Sequence, residues 1–122
     1  MVASQNDCLL RCRLILVVQR QWLIAQQLSD AFKAEGARVL LAHNATSGAL
    51  SADAPDLAAV VLDSESAQLL FRKLKERGVP FVIYTGHEHV DDDCAAAPVV
   101  RKPANAGKVV GAVRQLLQPQ HW

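Results

Sequence analysis

Apolar positions recur along this chain with two alternating periods. Leu14 to Val18 is an unbroken, partly β-branched run, as a strand buried on both faces requires, and it stops abruptly at the polar turn Gln19-Arg20-Gln21. From Trp22 the period becomes helical. Ile24, Leu28 and Phe32 recur every fourth position while Gln26, Gln27, Asp30 and Lys33 face elsewhere, and Gly36 supplies the stop. Arg38 to Ala42 reads as a short apolar strand followed by the polar turn His43 to Ser47. A brief helix over Thr46 to Ala52 comes next, weakened by the internal Gly48. Leu57 to Leu62 forms an uncharged strand ending at Asp63, and the Ser64-Glu65-Ser66 hydroxyls can cap a helix that buries Ala67, Leu70 and Leu74 up to Gly78. Phe81 to Tyr84 is a fourth strand ending at Thr85-Gly86. After the irregular polar tract His87 to Pro98, Val99 to Arg101 is a fifth strand ending at Lys102-Pro103. A last helix buries Val109, Val110, Val113, Leu116 and Leu117, and Pro119 closes it.

Strands and helices alternating five times give an α/β fold, a doubly wound five-stranded parallel sheet of the flavodoxin-like (βα)5 type. The expected strand order is 2-1-3-4-5, with a shortened or irregular fourth helix. Ligands in such sheets collect at the carboxyl ends of the strands, at the switch point between the first and third strands. That rule brings Arg20 to Asp63, close enough for an ion pair, with Thr85 and Lys102 along the same edge. The domain is expected over 13–118, with a loose leader at 1–12, in which Cys8-Leu9-Leu10 can still pack or extend the first strand, and a tail at 119–122.

Composition narrows this little. The 122 residues suffice for one domain, and a formal net charge of +1 gives no reason to expect nucleic acid or an anionic membrane. No apolar run approaches the roughly 18 residues of a membrane span and the N-terminus lacks a signal-peptide pattern, so a cytoplasmic location is expected. Cys8, Cys12 and Cys94 fit neither a disulfide framework nor a zinc knuckle. His87, Glu88, His89, Asp91, Asp92, Asp93 and Cys94 offer metal-binding groups, but at the spacing of a solvated loop rather than of a closed zinc site.

A strand ending in Asp63, a fourth in Thr85-Gly86 and a fifth in Lys102-Pro103 resemble the receiver domain of two-component response regulators. The match spans nearly all of the chain after Arg13, and PFVIYTG with PVVRKP looks like stand-alone receivers with a reduced fourth helix. The resemblance implies Asp63 as phosphoacceptor, Thr85 as switch residue and Lys102 as the cation on the phosphoryl oxygens. It also implies an acidic pair for Mg²⁺, and here the positions of that pair hold Gln19 and Arg20. A guanidinium repels a hard, hydrated cation that carboxylates normally hold, so weak or absent Mg²⁺ binding and no other cofactor are expected. The family's proline after the acceptor is missing, and Val99 stands where it carries an aromatic switch residue.

These departures point to a degenerate receiver, not an enzyme, that docks on a histidine kinase, a phosphotransfer protein or another regulator in a phosphorelay. Docking is expected around the irregular tract, the fifth strand and the last helix, and a homodimer, where one forms, through the region of the fifth strand and last helix. The alternative is a working phosphoacceptor in which Arg20 and Lys102 stand in for the metal. Asp63 as a plain helix cap, Glu65 as a first-turn acid favoured by the helix dipole, and Trp22 as a packing residue are the simpler roles these side chains can take. A flavin or nucleotide binder is disfavoured, since no Gly-rich phosphate loop follows the first strand.

Overall fold

The apolar runs become the interior of a five-stranded, wholly parallel sheet in the order β2-β1-β3-β4-β5. A computed structural model describes residues 10–85, 99–101 and 106–117. The strands are β1 (Leu14–Val18), β2 (Arg38–Ala42), β3 (Leu57–Leu62), β4 (Phe81–Thr85) and β5 (Val99–Arg101). The described helices are α1 (Trp22–Ala34), α2 (Ala45–Ser51), α3 (Ser64–Arg77) and α4 (Ala106–Leu117). The expected irregular fourth helix falls between β4 and β5, outside the described residues, so α4 is the last helix, the one expected after the fifth strand. The fold is the flavodoxin-like α/β fold with the expected strand order.

Every residue of β1 is buried, because β1 lies inside the sheet and helices cover both faces. Side-chain alternation divides it: Leu14, Leu16 and Val18 enter the core beneath α2 and α3, and Ile15 and Val17 enter the core beneath α1 and α4. Ala67, Leu70 and Leu74 from α3 fill the first core, and Leu28, Phe32, Val109, Val110 and Val113 fill the second. Leu10, within the span expected as a loose leader, is buried in the second core, and the Cys12 N–H donates to the Gly36 carbonyl at 2.9 Å. Packing therefore reaches back at least to Leu10. Gly78 ends α3 in the left-handed conformation (φ 70°), which costs a glycine little.

Helix α2 forms although Gly48 sits in its middle. Asn44 caps it, accepting the Ser47 N–H at 2.8 Å, and Gly48 is where the helix meets the sheet and α3. A Cβ there would lie 3.0 Å from Val18 Cγ2 and 3.1 Å from Leu70 Cδ1. Close approach outweighs helix propensity at this position. Gly48→Val is expected to cost about 1–3 kcal/mol by overpacking, read as a lower denaturation midpoint at unchanged slope.

Cations from α3 tie down the far end of α2. Lys73 Nζ donates to the Ala49 carbonyl at 2.9 Å and pairs with Asp53 at 2.8 Å, and Arg77 donates to the carbonyls of Ala52 and Ala54. The carbonyls that α2 leaves open thus meet positive charge. The hydrogen bond from Lys73 holds the Asp53 carboxyl below the usual carboxylate range.

Candidate functional site

The site lies where β1 and β3 run out side by side. Gln19 extends β1 by one residue, its N–H donating to the Ala42 carbonyl at 3.0 Å, and Asp63 extends β3, its N–H donating to the Val18 carbonyl at 3.2 Å. Strand order and register thereby bring the first turn and the acid together, as the switch-point rule requires.

Asp63 is the N-cap of α3. Its Oδ1 accepts the Ser66 N–H at 2.7 Å, and its Oδ2 accepts the backbone N–H of Arg20 at 3.3 Å. Capping falls to the aspartate rather than to the serine hydroxyls, because Asp63 has extended backbone angles while Ser64 is already helical. Such a cap contributes about 1 kcal/mol.

The expected ion pair between Arg20 and Asp63 does not form. The Arg20 guanidinium pairs instead with Glu65 in the first turn of α3, and only the backbone N–H of Arg20 reaches Asp63. Because that N–H keeps the turn against Asp63, the long side chain spans to the next acid outward. Both charged side chains are well exposed, 65% and 62%, so the pair is worth at most about 1 kcal/mol. Its effect is positional: it bridges the β1–α1 turn to the start of α3.

Gln19 is 1% exposed, and neither its Nε2 nor its Oε1 has a hydrogen-bond partner among the described residues. Alternation along β1 directs it to the face of Ile15 and Val17. A neutral amide is thus buried where the resemblance implied a carboxylate. Beside it, Trp22 packs against the His43 ring at a centroid distance of 5.2 Å yet stays 59% exposed, so it is a rim residue rather than a packed one.

Lys102 lies outside the described residues, as do the side chain of Thr85, Cys8, Cys94, Trp122 and the tract His87 to Cys94. The Thr85 backbone ends β4, paired with Arg101 of β5. Among the described residues no group of three or more His, Cys, Asp or Glu is placed to hold a metal ion, and no helix is long and apolar enough to cross a membrane.

Comparison with known proteins identifies the fold. No protein-family model matches the chain, and no curated protein matches it. Solved structures do. A CheY-like response regulator receiver domain protein from Methanospirillum hungatei JF-1 is 21% identical with a TM-score of 0.76, over 86% of this chain and 93% of that one. The response regulator TrrA from Thermotoga maritima, solved in complex with Mg²⁺-BeF, is 24% identical with a TM-score of 0.72, over 86% and 99%. SdrG from Pseudomonas melonis Fr1, in its BeF3-activated conformation, is 28% identical with a TM-score of 0.70, over 88% and 98%. The chain has the fold of CheY-like receiver domains.

The described residues do not suit the Mg²⁺ that the resemblance implies. That ion takes six oxygens in near-ideal octahedral geometry, chiefly from carboxylates and water. Here Glu65 is held by Arg20, and Gln19 offers a neutral amide where a carboxylate would be needed, which leaves Asp63 as the one carboxylate free of a cation among the described residues at the turn. The positive charge of Arg20 sits in the turn where the metal carboxylates would be.

Proposed function

We propose that this chain is an atypical receiver of two-component, phosphorelay signal transduction that acts by docking on another protein, with Mg²⁺-dependent phosphorylation of Asp63 impaired. The observation that carries the reading is the bridge of Arg20 to Glu65 beside Asp63, which sets a guanidinium where a metal-binding site would have carboxylates. An organic cation there performs the charge balancing that a metal performs in an acidic site. The likeness in fold to receiver domains supports the signalling class.

In this reading Gln19 and Arg20 silence the acidic pair, Thr85 and Lys102 persist in their family positions, and the chain catalyses no turnover of its own. The partner is a histidine kinase, a phosphotransfer protein or another regulator in the cytoplasm, met at β5 and α4. A second reading draws on the fact that, among the described residues, no guanidinium pairs with Asp63 itself. Among the described residues its carboxylate accepts only neutral N–H donors and is half-buried, so its free lone pairs stay available for a nucleophile's role, with Arg20 in the adjoining turn and Lys102 as the cation the resemblance implies.

Intact mass after incubation with a small phosphodonor, with and without Mg²⁺, separates the two. The docking reading expects no phosphoryl adduct in either condition. An adduct on the wild-type chain that Asp63→Asn abolishes would establish the second reading in its place.

A further inference from the structure

Helix α3 carries Glu65, Leu69 and Lys73 at intervals of four, on one stripe of its surface. Leu69 is 68% exposed although Leu70 beside it is in the core. Across from it α2 presents Leu50, 73% exposed. Between the two leucines runs a groove of about 450 Å³, floored by Ala45, Ala49 and Leu70 and closed at one end by the Asp53 to Lys73 ion pair. This surface therefore holds both protruding leucines and an alanine-floored hollow that one can enter.

We propose that the face of α2 and α3 is where two copies of this chain meet, in a two-fold antiparallel pairing centred on Leu69. The charges on the stripe favour a second copy over any other occupant. Glu65 lies one turn before Leu69 and Lys73 one turn after, so antiparallel α3 helices crossing at Leu69 set each Glu65 opposite the partner's Lys73. The intrachain pairs extend this match. Arg20 already neutralises the far side of Glu65, and Asp53 that of Lys73, so each end of the contact becomes an alternating row: Arg20, Glu65, the partner's Lys73, the partner's Asp53. An isologous contact needs such self-complementarity, with every knob and charge meeting its counterpart on the same patch.

The assignment moves self-association away from β5 and the last helix. Among the described residues the exposed large apolar side chains are Trp22, Leu23, Leu50 and Leu69, and none belongs to α4. The contact is also small. A helix of 14 residues is about 21 Å long, and two short helices offer less than the roughly 800 Å² per partner of a standard interface. Association is accordingly weak and concentration-dependent.

Sedimentation velocity of the full chain from about 5 to about 500 μM is expected to show a monomer giving way to a dimer. Leu69→Asp is expected to weaken association roughly a hundredfold, since each dimer loses two buried leucines. Glu65→Lys and Lys73→Glu each place like charges in opposition and leave a monomer. Mixing those two variants restores complementarity at both ends and yields a heterodimer, which a merely sticky surface would not produce. Circular dichroism of each variant confirms that it is folded. A wild-type chain that stays monomeric throughout overturns the proposal and leaves the groove to a different partner. A dimer unchanged by Leu69→Asp, or single-charge variants that fail to pair when mixed, overturns it equally.

Discussion

Aspartate at both Gln19 and Arg20 is expected to yield a chain that magnesium stabilises, where the wild-type melting temperature is expected to stay the same with and without the metal. Gln19 is buried as a neutral amide, and Arg20 adds a positive charge to the adjoining turn. The double variant Gln19→Asp with Arg20→Asp removes that charge and sets two carboxylates beside Asp63, one of them at a buried strand tip. Desolvation and like-charge repulsion then destabilise the chain, by up to about 3–5 kcal/mol where the new charge has no counter-ion. A divalent cation relieves both effects at once. At a hundredfold excess over its dissociation constant it returns about 2.7 kcal/mol, on the order of 10 °C in melting temperature for a domain of this size. Thermal melts of both proteins with and without Mg²⁺ provide the measurement. Should the double variant fold and melt identically with and without the metal, the missing acidic pair is not what separates this site from a metal-dependent one.

The fold was readable because each element has one dominant period and a clear stop. β1 is apolar throughout because both faces of the sheet are covered, and α3 buries Ala67, Leu70 and Leu74 at the spacing the sequence displays. Gly48 misled, since propensity counts it against a helix while the space left by Val18 and Leu70 demands it, and no local pattern reports that distance. At the site, strand order sufficed to bring Arg20 to Asp63, but not to say which part of Arg20 would touch it. A backbone N–H fixed by the turn reaches the near acid, and a flexible guanidinium, being long, takes the outer one, Glu65. The cap carried a readable signal: Asp63, a favoured N-cap residue, stands immediately before the helical run, and its carboxylate accepts the backbone N–H three residues on. The exposure of Leu69 follows from its place off the buried stripe, whereas the hollow beside it requires α2, which only the tertiary packing supplies.

Phe32→Ala is expected to cost about 3–5 kcal/mol, a large share of the roughly 5–15 kcal/mol that holds a domain of this kind together. The ring is fully buried in the core beneath α1 and α4, in the cluster that contains Leu10, Ile15, Val17, Leu28 and Val113. Truncation removes its transfer energy and leaves a cavity that the rigid parallel sheet cannot close, so the larger part of the range applies. Urea denaturation reads the effect as a fall in midpoint of more than about 1 M. Leu23→Ala on the same helix provides the contrast. Leu23 is 67% exposed, and its removal is expected to stay within about 0.5 kcal/mol. Nearly equal costs at the two positions would mean that α1 does not lie on the sheet with this face inward. The site would then lose its support as well, because the seating of α1 on β1 keeps the turn before it, and with it the Arg20 N–H, against Asp63.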